Sequence, residues 1–231
     1  MKKPSIIGII LGRLDSSRLP GKLLEDVNGI PLIGYVIARA KRISGLSELM
    51  IATTDRSVDD PLVDYANAQG LMVFRGDSRN VAQRLLNCAS KFGAQYFIRL
   101  NGDSPFADPE LIIEGMQHCF NKRVELITNL IGRTFPYGIA VEIIETKAFA
   151  RAYANMHTNE EYEHATKYLY EHLDMFGVES MKSSLPELSR ARLVVDTEKD
   201  LNMFRKMTAF FKSRAVNVGY IEAADKYLSM C

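Results

Sequence analysis

The chain has 231 residues, with 29 lysines and arginines against 28 aspartates and glutamates, for a formal net charge of +1. That balance gives no reason to expect nucleic acid or an anionic membrane surface as a partner, and 47% hydrophobic with 25% charged residues is ordinary globular usage. The length, read as one α/β domain over residues 1–231, is enough to bury a substantial core.

The N-terminus, Met1-Lys2-Lys3-Pro4-Ser5, is basic, but only the six-residue apolar run Ile6–Leu11 follows it. That is too short for a signal-peptide core or a membrane span. Cys88, Cys119 and Cys231 are scattered without metal-ligand spacing, and the four histidines also lack zinc spacing. A reduced, cytoplasmic protein is the expectation.

Ile6–Leu11 is rich in β-branched residues and reads as a buried parallel strand. The chain then turns polar: Gly12 and Gly21 bracket Arg13, Ser16, Ser17 and Arg18, with Lys22 just beyond and Asp15 the single acid. Such a loop brings backbone N–H groups, hydroxyls and three cations to a strand's carboxyl end, where a polyphosphate can be cradled. It is not a Walker A loop, because eight residues separate the glycines and Leu23 follows the lysine where Ser or Thr is required. The plainer reading is a solvated basic connection between strand and helix.

Asn28-Gly29 is a turn signal, and Pro31 suits the first position of a helix to about Arg42 that lines up Leu32, Tyr35, Val36 and Arg39. Glu48–Ala52 reads as a strand ending in Thr53-Thr54-Asp55, and the helix Pro61–Gln69 stops at Gly70. Leu71–Phe74 is a strand before Arg75-Gly76-Asp77, and Asn80–Phe92 a helix. Ala94–Leu100 is a strand before Asn101-Gly102-Asp103-Ser104-Pro105, followed by a helix near Pro109–Phe120 and a strand near Val124–Thr128. This alternation indicates a mostly parallel, doubly wound sheet with helices on both faces. Four polar signals fall just past strand ends: Arg13–Lys22, Thr54-Asp55, Arg75–Asp77 and Gly102-Asp103. Ligands of open α/β sheets bind in the crevice there, so a nucleotide site is expected at that edge.

The remainder is less regular. Arg133–Gly138 is rich in turn residues, Ile139–Glu145 alternates like a half-exposed strand, and Met175–Ser184 is a further strand. Thr158 and Glu161 form a capping-box pattern opening a helix through His172. Residues 130–190 are read as a smaller α+β excursion that covers an acceptor site and mediates dimerisation. Leu193–Val195 returns to the core and ends at Asp196, with a helix near Leu201–Arg214 and a last one near Tyr220–Ser229. Asp103 and Asp196, both placed at strand ends, are a candidate pair for a divalent cation. Each also has a plain alternative, Asp103 as a turn residue and Asp196 as a helix cap.

Arg13-Leu-Asp-Ser-Ser-Arg-Leu-Pro-Gly-Lys22 resembles the N-terminal signature of the cytidylyltransferases that activate acidic sugars, among them the acylneuraminate and 3-deoxy-manno-octulosonate enzymes. The branch of spore-coat polysaccharide biosynthesis proteins is the nearest in pattern. Leu11-Gly12 departs from the family's Gln-Ala or Pro-Ala. Gly102-Asp103-Ser-Pro105 resembles the family's Gly-Asp-x-Pro, and Val195-Asp196-Thr-x-x-Asp-Leu201 its Val-Asp-Thr-Pro-Glu-Asp-Leu. The resemblance implies a Rossmann-like nucleotidyltransferase fold, Mg²⁺ held by Asp103 and Asp196, CTP as donor and a small acidic acceptor. It also implies a homodimer and a CMP ester made for a surface glycan.

By the same resemblance Arg13, Lys22 and Asp103 are the catalytic residues. Leu11, Gly12, Arg13, Ser17, Arg18, Lys22, Thr54, Asp55, Arg75 and Arg84 contact the nucleotide. Pro136-Tyr137-Gly138, Val141-Glu142 and Glu163-His164 resemble the branch's acceptor motifs, which assigns Tyr137, Glu142, Glu163 and His164 to the acceptor. Ala140 stands where the branch carries aspartate, which points to an unusual acceptor. Two other readings stay open: a sugar-phosphate nucleotidyltransferase using a different nucleotide, and a nucleotide-binding protein without catalysis.

Overall fold

A computed structural model describes residues 4–120 and 124–231; the basic residues Met1 to Lys3 lie outside that range. In chain order the strands are β1 (Ile6–Leu11), β2 (Asp26–Val27), β3 (Ile30–Pro31), β4 (Glu48–Thr54), β5 (Met72–Gly76), β6 (Tyr96–Asn101), β7 (Leu126–Thr128), β8 (Glu142–Glu145) and β9 (Val178–Ser180). The helices are α1 (Leu32–Ala40), α2 (Asp60–Ala68), α3 (Val81–Lys91), α4 (Pro109–Met116), α5 (Thr146–Ala154), α6 (Asn159–Glu163), α7 (Lys167–Glu171), α8 (Glu198–Phe211) and α9 (Tyr220–Ser229).

Seven strands form one sheet in the order β5-β4-β1-β6-β8-β7-β9, and of these only β8 runs against its neighbours. Alternate residues of β1 feed two different cores. Ile6 and Ile10 pack with α1, α2, α4, α8 and α9, whereas Ile7 and Ile9 pack with α3, α5 and α7. The apolar run of β1 therefore has no polar face because neither of its faces meets water. Each buried isoleucine contributes about 1.5–3 kcal/mol of transfer free energy. Among the described residues no helix is long and apolar enough to cross a membrane.

Most of the expected elements are present within one or two residues, and Gly70 sits in the left-handed region just past α2, as a helix-stopping glycine does. Four details differ. Pro31 caps α1 from outside and pairs with Asp26, so the helix begins one residue later. The β8 strand is buried on both sides because it is inserted between β6 and β7. The helix opened by Thr158 is capped as expected but breaks at His164, and a separate helix restarts at Lys167. The 130–190 span has mixed α and β content, and it returns to the central sheet twice, as β8 and β9.

β1 and β6 are adjacent and in register, with Leu11 opposite Asn101. The loops that follow them, opened by Gly12 and Gly102, therefore leave the sheet side by side. The Gly102 N–H donates to the Leu11 carbonyl at 2.8 Å.

Candidate active site

A cleft of about 610 Å³ opens over these two strand ends. Its basic wall is the loop after β1. The Leu14 carbonyl accepts from the Gly21 N–H at 2.7 Å, closing the loop on itself. Gly21, at φ 73°, reverses the chain where a side chain would be strained. The turn Lys22–Leu24 then buries Leu23 in the core and aims Lys22 under the cleft.

Lys22 is the centre of the arrangement. Its Nζ donates to Asp103 Oδ2 at 2.8 Å, to the Val195 carbonyl at 2.7 Å and to Asp196 Oδ1 at 3.2 Å. Three ammonium protons meet three acceptors, so a side chain that is only 7% exposed is fully paired. Asp196 also takes Arg18 on Oδ1 at 2.9 Å and Arg192 on Oδ2 at 2.8 Å. A nearly buried carboxylate is thus compensated by three cations.

Asp103 sits in the turn after β6, as expected. Asp196 reaches the same point by a different route from the one expected, since no sheet strand ends there. The segment Arg192–Asp196 runs extended beside the Asp103 turn, with the Val195 N–H donating to the Asp103 carbonyl at 2.9 Å. Thr197, not Asp196, caps α8 through a capping box with Asp200, and Asp200 also accepts from the Asp196 N–H at 3.0 Å.

Arg13 crosses the cleft to Glu163 at 3.2 Å and lies 3.6 Å from Asp15. Arg84 on α3 is buried beside it and donates to the Asp77 carbonyl at 2.6 Å. Burial lowers its pKa, and the neighbouring Arg13 charge adds to that. Leu11, Gly12, Ser17, Arg18, Tyr137 and His164 also border the cleft.

Three expected nucleotide contacts are not among the residues that line it. Thr54 is fully buried and gives its N–H and hydroxyl to Asp59. The Asp55 N–H is spent on the Gly76 carbonyl at 3.0 Å. Arg75 donates to the carbonyls of Thr54 and Arg56 and pairs with Asp60 at 2.6 Å. Thr54 is thus turned to Asp59, and Arg75 to Asp60 and two backbone carbonyls, in place of the cleft.

Glu142 does border the cleft, but from a buried position. It is fully buried, with one oxygen on Arg99 and the other accepting from the Tyr170 hydroxyl at 3.1 Å. The antiparallel register that pairs Phe97 with Ile144 and Ile98 with Ile143 brings Arg99 opposite Glu142. Glu142 therefore holds Arg99 at the cleft wall, with each of its oxygens already accepting one hydrogen bond. Burial, and then the Glu142 charge, raise the Tyr170 pKa, which keeps its hydroxyl a donor.

The family described as Cytidylyltransferase matches residues 7–224. The chain belongs to the cytidylyltransferase family. It is 30% identical to the spore coat polysaccharide biosynthesis protein SpsF of Bacillus subtilis over 210 residues, 87% of this chain and 85% of that one. A cytidylyltransferase structure from Leptospira borgpetersenii superposes with a TM-score of 0.90 at 26% identity, covering 100% of this chain and 97% of that one. A CMP:2-keto-3-deoxy-manno-octonic acid synthetase solved with CTP shares the fold, with a TM-score of 0.68 at 19% identity over 89% of this chain and 99% of that one.

Within this family member, sequence reasoning missed Arg99, which lines the cleft, and two side chains that hold its walls from behind, Asp59 and Arg192. Arg192 donates to Asp200 at 2.9 Å as well as to Asp196, and these hydrogen bonds, first of all that to Asp200, hold its pKa up. Its guanidinium also lies 4.8 Å from the centre of the Tyr137 ring, and that of Arg133 lies 4.6 Å from it. Gly138 permits this contact: at φ 102° it passes so close to Leu193 and Val194 that a Cβ would meet their backbone at 2.6–2.8 Å. The one available signal for Arg99 was a charged residue in the middle of an otherwise apolar strand.

Among the described residues no group of three or more His, Cys, Asp or Glu side chains is arranged to hold a metal ion. Asp103 and Asp196 nevertheless share one cation already, the Lys22 ammonium. Mg²⁺ takes one or two protein carboxylates and completes its shell with waters and phosphate oxygens; Asp103 has its Oδ1 outside the Lys22 contact to offer, and Asp196 offers an oxygen where the exposed Arg18 turns away.

Proposed function

We propose that the chain transfers the cytidylyl group of CTP to a hydroxyl of an acidic sugar or related acid, releasing pyrophosphate, in the synthesis of a surface polysaccharide. The observation that carries this reading is Lys22, held between Asp103 and Asp196 at the foot of a cationic loop. CTP as donor is supported by the family and by the CTP-bound synthetase of the same fold.

In this reaction the acceptor oxygen attacks the α-phosphorus of CTP and forms the new P–O bond. The bond from that phosphorus to the bridging oxygen of pyrophosphate breaks, pyrophosphate leaves with the electron pair, and the hydroxyl proton passes to water. Arg13, Arg18 and Lys22 neutralise charge on the leaving group as it develops. Arg13 and Arg18 are engaged with carboxylates in the structure, but their own side chains are 37% and 64% exposed. The exposed Arg13–Glu163 pair is worth only about 0–1 kcal/mol, so a triphosphate displaces it readily, while Asp196 keeps Lys22 and Arg192 when Arg18 turns to the phosphates. Asp103 and Asp196 would hold Mg²⁺; when bound, the ion neutralises phosphate charge and acidifies the acceptor hydroxyl. No side chain stands out as a dedicated base, and the chemistry rests on positioning and electrostatics.

The acceptor would lie against Tyr137, His164 and the Arg99 wall, where Arg133 adds positive charge suited to an acid. The same family likeness supports a homodimer built through residues 130–190 and a cytoplasmic setting; sedimentation at micromolar concentration checks the first.

The function is tested by pyrophosphate release with each nucleoside triphosphate against sugar acids and sugar phosphates. Release with CTP and a free sugar acid is the expected result. Release with another nucleotide and a sugar phosphate, or CTP binding with no turnover on any acceptor, would replace the proposal.

A further inference from the structure

The loop after β1 carries three cations, yet few contacts fix its backbone to the rest of the fold. The strongest is made by a residue that does not itself touch the cleft. Asp59, immediately before α2, is fully buried, and its Oδ1 accepts from the Leu14 N–H at 2.7 Å across 45 residues of sequence. Its Oδ2 accepts from the Thr54 N–H at 3.3 Å and from the Thr54 hydroxyl. One carboxylate thus ties the loop to the carboxyl end of β4. A buried carboxylate with no full ion pair is an expensive group to keep unless its hydrogen bonds matter. Asp59 lies close enough to the buried Arg84 guanidinium to favour its charged form, so the carboxylate also serves the electrostatics of that wall.

We infer that Asp59 is a positioning residue for the triphosphate: by gripping the Leu14 N–H it holds Arg13 and the loop that returns to Arg18 and Lys22 in the shape that receives the phosphates. This rests on the proposed placement of the triphosphate in that loop. A cradle of backbone N–H groups and cations binds anions well only if it is built before the ligand arrives, because ordering it afterwards subtracts from affinity. Leu14 is the apolar peg beside the anchor, buried to 8% exposure, whereas Ser17 and Arg18 at the loop tip lie nearer solvent. The anchor therefore fixes the base of the loop and leaves its tip free to close on a ligand.

The test measures binding of inorganic tripolyphosphate by calorimetry to the native chain, to Asp59→Asn, and to Val36→Ala. The last variant opens a cavity in the same core, away from the loop, and controls for lost stability. The native chain binds tripolyphosphate; if it does not, the placement of the triphosphate fails before the role of Asp59 is reached. Asp59→Asn is expected to weaken binding by about tenfold or more, the scale of one charge-assisted hydrogen bond. Val36→Ala is expected to stay within about threefold of native, since burial lost in the core leaves the loop intact. Equal affinity in the native and Asp59→Asn chains, or equal losses in the two variants, overturns the inference. Should Asp59→Asn fail to fold, hydrogen exchange on the native chain decides. The Leu14 amide is expected to exchange at least about a hundredfold more slowly than those of Ser16 and Ser17 without any ligand, and equal rates would overturn the inference.

Discussion

The two walls of the cleft are built in different ways. The wall proposed for the nucleotide is mainly one stretch, residues 12–22, whose cations come from neighbouring positions and whose shape is closed by its own Gly21–Leu14 bond and tied to β4 through Asp59. The wall proposed for the acceptor is assembled from β6, the 133–138 loop, β8, the break between α6 and α7, and the approach to α8. Arg99 is held by Glu142 from another strand, and Arg192, paired with the nearby Asp196 and Asp200, reaches across to stack on Tyr137. Lys22 joins the walls, since its three acceptors come from the turn after β6 and from the approach to α8. A wall of local origin keeps its chemistry while the rest of the fold varies, whereas a wall of distant pieces is open to change at single positions. Ala140 is such a position.

This contrast can be broken or sharpened by substitution. The largest effect is expected at the junction. Lys22→Ala should lower kcat/KM for pyrophosphate release by about 10²–10³-fold, the scale of one lost preorganised donor, and should affect both substrates. A loss confined to the KM for CTP would show that the walls act separately. Next is Glu142→Gln, which removes the charge that holds Arg99. The KM for the acceptor should rise about tenfold while that for CTP stays near native. A rise for CTP instead would move Arg99 to the nucleotide side.

A smaller effect is expected at Tyr137. Tyr137→Phe keeps the ring beneath the two guanidinium groups and should be near native, whereas Tyr137→Leu should raise the acceptor KM about three- to fivefold. Equal effects in the two variants would assign the role to the hydroxyl instead of the ring.

The smallest effect concerns the two apolar cores on either face of the sheet. Burial pushes the thiols of Cys88, which packs against Met50 of β4, and Cys119, which follows α4, up to about 12. In the unfolded chain they ionise near 9.0, so their contribution to stability is complete below that pH and is lost as pH climbs towards 12. Denaturant unfolding between pH 9 and 10 should show a loss of about 1 kcal/mol or less per thiol. Cys88→Ala and Cys119→Ala should each flatten that slope, and a slope unchanged in both would exclude the thiols as its source.

The nucleotide wall was legible because its information is local. A β-branched apolar run, two glycines and three cations within seventeen residues specify a strand, a turn and a basic loop from neighbouring positions. The alternation of strand and helix through Thr128 was legible for the same reason: the sheet is covered on both faces, so its strands read as unbroken apolar runs. Thr54, Asp55 and Arg75 show the limit of that reading. They follow strands as cleft residues do, but whether such a residue faces the cleft depends on which partners take it up, here Asp59 for Thr54 and Asp60 for Arg75. Glu142 shows the same limit from the other side, because its motif was visible and its partner on β6 was not.

By itself the sequence determined the succession of strands and helices in the first half, the basic loop, and the two acidic motifs at Asp103 and Asp196. These rest on periodicity, turn chemistry and residue type, which act over a few neighbours. Only the tertiary structure decided that the two aspartates meet at Lys22, that Glu142 serves Arg99, and that Arg192 reaches Tyr137. Each of those is a contact between charges more than forty residues apart or between segments brought together by strand register and by the Gly138 turn. Coulomb interaction and hydrogen bonding depend on distance in space, and the fold alone sets that distance.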